Sequence, residues 1–133
     1  MADTICYLNT DLDLTSPVDL AVLVSALEAA GLPPLHSARH EDGYWYATCE
    51  TAEQFSEPEA NIAAILALIE ALPDGPRAIW SACTRRDLNV GYDCGAKPWA
   101  FNQALSSQLL GRIAAVGASL RVTLYPPRTE EGS

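Results

Sequence analysis

His36 and His40, the only histidines of this 133-residue chain, stand four apart, the spacing that on a helix would present two imidazoles to one zinc ion. Pro33-Pro34 before them and Asp42-Gly43 after them favour a strand instead. On a strand the pair shares a face but lies about 13 Å apart, too far to share a metal. An enzyme built on this chain would centre on His36, His40 and Asp42, although a histidine near a surface carboxylate is more often simply solvated. Cys6, Cys49, Cys83 and Cys94 are spread along the chain without a C-x-x-C pair, which favours buried free thiols over zinc or disulfides. Cys49 precedes Glu50 in an acidic stretch and Cys83 lies in an apolar one, so neither is set up as a thiolate nucleophile. No G-x-S-x-G elbow occurs, and Gly91 and Gly95 stand outside any phosphate-binding pattern. No catalytic residue, metal or cofactor is therefore expected.

The carboxylates are the more informative groups. The net charge is −9; residues 1–76 hold 13 acids against the single base Arg39, whereas residues 77–133 hold 7 bases against 4 acids. Such a chain repels nucleic acid and is steered towards basic partners. Asp11 and Asp13 are read as loop residues after a first strand, too few for a calcium cage because Thr15 and Pro17 stand where further oxygen ligands would be needed. The stretch 50–59 adds Glu50, Glu53, Glu57 and Glu59 around Phe55. Asp11, Asp13, Glu41, Asp42, Glu53 and Glu57 are the candidate partner contacts, with Tyr44 and Trp45 as aromatic anchors. Arg85, Arg86 and Asp87 suit an ion pair or an anion-binding turn, and Tyr92, Trp99 and Phe101 either line a groove or belong to the core.

These side chains need elements to hold them. Thr4–Leu8 reads as a strand and 9–15 as polar loop. Ser16 and Pro17 open a helix over 17–30 whose stripe is Leu20, Leu23, Val24 and Leu27, ended by Gly31. Leu35–Glu41 and Tyr44–Cys49 flank Asp42-Gly43 as a hairpin with a type I′ turn. Ser56 and Glu59 form a capping box for a second helix, apolar nearly all round, that runs to Leu72 and stops at Pro73-Asp74-Gly75-Pro76. Ala78–Thr84 and Asp87–Asp93 read as strands, or one bent strand around Arg85-Arg86, and Trp99–Ala104 as a short strand. Ser106 caps a third helix ended by Gly117, and Ser119–Tyr125 is the last strand. Leu23, Leu27 and Gly31 are spaced like Leu109, Ile113 and Gly117, as a shared helix-to-strand turn or a duplication would require. The expected fold is a single α+β domain over 1–127, with a mixed, mainly antiparallel sheet, three helices and ferredoxin-like-related layers, followed by a flexible tail at 128–133. The apolar run Ile62–Ile69 is less than half a membrane span, and Met1–Thr4 lacks a secretory signal, which points to a cytoplasmic protein without a membrane partner.

Residues 78–126, with Leu105-Ser106 ahead of Leu109-Leu110, then Gly117-Ala118 and Thr123-Leu124-Tyr125, resemble a family of small bacterial domains of unknown function. That family commonly ends in a Leu-Ser-capped helix, a Gly-Ala turn and a strand closing on tyrosine. Such domains often stand beside polymorphic toxins, so the resemblance implies an immunity protein that occludes the active or substrate-binding site of a cognate, basic toxin. It supplies no catalytic residue, and the acidic first half departs from its usual pattern. The alternative is a small-molecule-binding or sensing module with Trp99, Phe101 and Tyr92 beside a pocket against the sheet.

Overall fold

A computed structural model describes residues 3–127; the expected tail at 128–133 lies outside the described residues. The chain is α+β: β1 (Cys6–Ser16), α1 (Ala21–Ala29), β2 (Pro34–Arg39), β3 (Trp45–Glu50), α2 (Pro58–Glu70), α3 (Asp74–Ala82), β4 (Arg85–Asp93), α4 (Ser107–Ala115) and β5 (Ser119–Tyr125). The strands form one five-stranded sheet in the order β2-β3-β1-β4-β5. Every neighbouring pair is antiparallel except β4 and β5, which are parallel because α4 carries the chain back across the sheet.

β1 is longer than expected and takes in the segment read as a loop. Its sequence alternates: Thr10, Leu12, Leu14 and Ser16 are buried, while Asn9, Asp11 and Asp13 between them are only partly so. This period of two is what a strand with one buried face requires. Pairing on both sides makes β1 the central strand, with Asp11 opposite Glu50 of β3 and Asn89 of β4.

The first helix begins later than Ser16. Ser16 Oγ accepts from Val18 N at 3.0 Å and Asp19 Oδ1 from Ala21 N at 2.8 Å, so both side chains serve local turns. The apolar stripe is as expected, with Leu20, Leu23 and Leu27 fully buried. Gly31 ends this helix at φ 108° and Gly117 ends α4 at φ 74°. In both, the next N–H reaches back to the last apolar residue of the stripe, Leu32 N to Leu27 O at 2.9 Å and Ala118 N to Ile113 O at 3.1 Å. The shared spacing is therefore one Schellman-type turn used twice.

The hairpin forms, but its turn is not type I′. Only Gly43 has a positive φ, 88°, while Gly43 N bonds His40 O and His40 N bonds Tyr44 O, each at 2.9 Å. This is the three-residue loop with glycine in the left-handed position. The capping box is also absent: Glu57 occupies the cap of α2 with Pro58 in the first turn, and Glu59 instead accepts from Ser106 N and Oγ at 3.0 and 2.7 Å.

The largest departure is α3, a fourth helix where a stop and a strand were expected. Pro76 falls in its first turn, where a backbone N–H has no helical acceptor anyway, and Arg77 N closes that turn on Pro73 O at 2.9 Å. The β-branched and aromatic content of Ala78–Thr84 misled, whereas Ile79, Trp80 and Cys83 lie at helical spacing against the core. Arg85-Arg86 belongs to β4 and is no turn. The segment Trp99–Ala104 is not a strand. The four helices share one apolar core with a single face of the sheet, built from Leu12, Leu14, Ala47, Cys49, Leu88 and Val90. No helix among the described residues is long and apolar enough to cross a membrane.

Candidate functional site

The face of the sheet turned away from the helices carries polar side chains from four strands, placed there by alternation in β1 and by the register of its neighbours. At one end the charges balance. Asp87 accepts from Arg85 Nε at 2.7 Å and pairs with Arg121 at 3.3 Å, while Asp13 accepts from Thr48 Oγ1 at 2.9 Å and has Arg85 at 3.8 Å. The expected Arg85–Asp87 ion pair is thus present. Arg86 points to the helix side, where it donates to Gly117 O, Trp80 O and Cys83 O at 2.9, 3.0 and 2.8 Å.

At the other end the acids lack such partners. Asp11 and Glu50 oppose each other across β1 and β3, joined only through Asn9, whose Nδ2 donates to Asp11 Oδ1 at 2.8 Å and also to Glu50 Oε2. Among the described residues no basic side chain pairs with either. Desolvation, followed by repulsion from Glu50 and then Asp13, pushes the Asp11 carboxyl up to about 6 from its usual 3.8. Beside this pair is a polar hollow of about 280 Å³ lined by Asn9, Glu50, Glu53 and Asn61. At its floor, buried Asn61 accepts from Tyr7 Oη at 2.7 Å and Thr10 N at 3.1 Å, and donates to Thr51 Oγ1 at 3.2 Å. Thr10 is in register with Val90 of β4 but lies one residue before the first β1–β3 pair, Asp11 and Glu50, so Asn61 stands where a β3 partner would be.

The sequence-derived contacts divide. Asp11 and Asp13 lie together on the open face as strand residues, and Glu53 borders the hollow. Glu41 and Asp42 are at the hairpin tip, where Tyr46 donates to Asp42 and, with the amide of Tyr44, holds that carboxyl below its usual value. Tyr44 is exposed beside them. Trp45 faces the other way, packed against the core with the Arg39 guanidinium 5.8 Å from its ring centre. Glu57 stands at the N-cap position of α2, where its side chain makes no capping hydrogen bond, and is not brought to the Asp11–Glu50 pair. Glu50 and Asn9 were missed, and only the cross-strand register shows that they meet Asp11.

His40 stacks on Tyr46 at 4.0 Å, and no group of three or more metal-ligating side chains exists among the described residues. All four cysteines are free. Burial pushes the thiols of Cys49 and Cys83 up to about 12 and about 11, which makes both poor nucleophiles at neutral pH.

A second concavity lies on the helix side, at the β4–β5 end of the sheet. It is a cavity of about 400 Å³ whose walls include Val90, Tyr92, Phe101, Leu105, Val122 and Leu124. Tyr92 is 4% exposed, and its hydroxyl has no hydrogen-bond partner among the described residues. Leaving a buried hydroxyl unpaired costs about 1–3 kcal/mol. Trp99, expected at the same place, is 97% exposed and does not line the cavity. Comparison with family models, curated proteins and solved structures finds no match.

Proposed function

We propose that this chain is a binding protein that neutralises a basic protein partner, a bacterial toxin, by occluding its active or substrate-binding site. The Asp11–Glu50 pair on an uncovered sheet face carries this reading. Two carboxylates share one amide and have no cation of their own among the described residues, so an incoming arginine or lysine would relieve both their repulsion and the desolvation felt by Asp11. Glu53 and the adjacent hollow offer space for such a side chain. The overall charge of −9 adds long-range attraction that raises association rates. Cytoplasmic residence fits four free thiols, which reducing conditions preserve. We further infer that β1 to β4 with α1 and α2 are layered as in ferredoxin-like folds, since their order 2-3-1-4 is that of a split β-α-β, with α3, α4 and β5 added.

The test is binding to the basic partner recovered with the tagged protein, measured as association rate across a salt series. The Asp11→Lys, Glu50→Lys double variant is expected to associate at least about tenfold more slowly at low salt and to lose protection against the partner's toxicity. Binding and protection indifferent to salt and to charge reversal would remove this reading.

A small-molecule-binding module is the second reading, and its own observation favours it: Tyr92 and Phe101 line a cavity of about 400 Å³, within the range of drug-sized sites.

A further inference from the structure

The two edges of the sheet differ in how they are finished. β2 begins with Pro34, and its register with β3 shifts between Pro34 and His36, an irregularity of the kind that keeps an edge from pairing further. β5 at the other edge runs in unbroken parallel register with β4 from Ser119 to Tyr125. Its one charged side chain, Arg121, is drawn back over β4 to Asp87 at 3.3 Å and does not guard the edge. Leu120, Val122 and Leu124 stand in register with Leu88, Val90 and Tyr92, on the face that the helices cover. They are nevertheless 41%, 57% and 61% exposed, and no β5 side chain joins the buried core. Cys94 N bonds Tyr125 O at 2.9 Å, so Tyr125 turns its carbonyl towards β4. Peptide groups alternate along a strand, which directs the N–H and C=O of Leu120, Val122 and Leu124 outward, without a backbone partner among the described residues.

We propose that β5 is the interface of a two-fold dimer, in which it pairs antiparallel with β5 of a second copy and Val122 faces Val122 across the axis. That register sets Leu120 opposite Leu124, so the outward peptide groups meet complementary ones and the apolar stripes continue across the seam on one face. It also sets Arg121 opposite Thr123, whereas a register centred on Arg121 would bring like charges together. With Phe101, 40% exposed, the stripe presents on the order of 400 Å² of apolar surface, as much as the largest patch on a typical monomer. Two such stripes and their strand edges bury on the order of 1,000 Å², the lower limit of a specific interface. Charge permits the pairing. The acids concentrate in residues 1–76, and in a pair joined at β5 the two β1 strands are about 24 Å apart, beyond the screening length of about 8 Å. The acidic face of each copy stays open, so the dimer goes beyond the toxin-binding reading and does not depend on it.

Sedimentation of the full chain tests this. From about 1 to 500 µM the wild type is expected to pass from monomer to dimer, because an interface at the low end of the size range associates weakly. Val122→Lys and Val122→Glu should each weaken association at least about tenfold, since each sets like charges against one another at the axis. Both variants change an exposed edge residue and leave the β4–β5 ladder in place, so unchanged melting is expected of each. An equimolar mixture of the two variants should sediment as a dimer again, because the two-fold register sets lysine against glutamate. A wild-type chain that stays monomeric throughout, a dimer indifferent to either variant, or a mixture that remains monomeric would each overturn the proposal. A monomer that binds the hydrocarbon dye diphenylhexatriene one to one, and loses it in Val122→Lys, would make a small molecule the occupant of this edge and overturn the proposal as well.

Discussion

Asp11 is the residue in which sequence position and chemical state differ most. As a loop residue it would be an ordinary solvated acid; on the central strand, opposite Glu50 and next to Asp13 on the same face, its carboxyl is pushed up to about 6. Its folded-state value exceeds the unfolded one, so the folded chain binds more protons between pH 4 and 6. Stability must then fall as pH rises through that window. Asp11→Asn removes this penalty while still offering an oxygen to Asn9. Because Asp11 is only half buried and solvent screens the repulsion, the expected gain is about 1 kcal/mol at pH 7, vanishing at pH 4. Urea titrations of both proteins at the two pH values check this, and a gain equal at both would refute the assignment.

At the scale of elements, Arg86 joins what the chain separates. Its guanidinium satisfies carbonyls at the end of α3 and at the turn leaving α4, and lies 5.8 Å from the Trp80 ring centre. Trp80 in turn donates Nε1–H to Val116 O at 2.9 Å, so both helix ends meet at one side-chain pair. Arg86→Met keeps the stem and removes the donors; the expected loss is about 2–3 kcal/mol. Hydrogen exchange should quicken first at the C-terminal turns of α3 and α4. Uniform protection with unchanged stability would show that water replaces the guanidinium without cost. Arg77 acts similarly at the preceding junction, donating to Leu72 O and Glu70 O where α2 passes into α3.

For the whole molecule, one core joins the four helices to β1, β3 and β4, with Leu12 on the middle strand of the sheet and fully buried. Leu12→Ala is expected to cost about 2–5 kcal/mol, read as a lower urea midpoint at unchanged slope and a single transition by fluorescence and circular dichroism. Two separated transitions would show that the elements around this core do not unfold as one unit. The same one-sided layering leaves the opposite face of the sheet free to carry charge.

Local pattern determined the α+β class, the stripes of α1, α2 and α4, the hairpin and the last strand, because caps, left-handed glycines and apolar periods act within a few residues. The alternation that makes Asn9–Ser16 a strand was also written there, yet its polar members hid it. α3 shows the limit of propensity, since Ile79, Trp80 and Cys83 suit either element until packing against the core selects a helix. Only the tertiary structure decided that Asp11 meets Glu50 through Asn9, that Trp45 turns to the helices and that Tyr92 is buried without a partner. Each of these depends on cross-strand register and on which side of the sheet the helices cover, and both are set by contacts between residues distant in sequence.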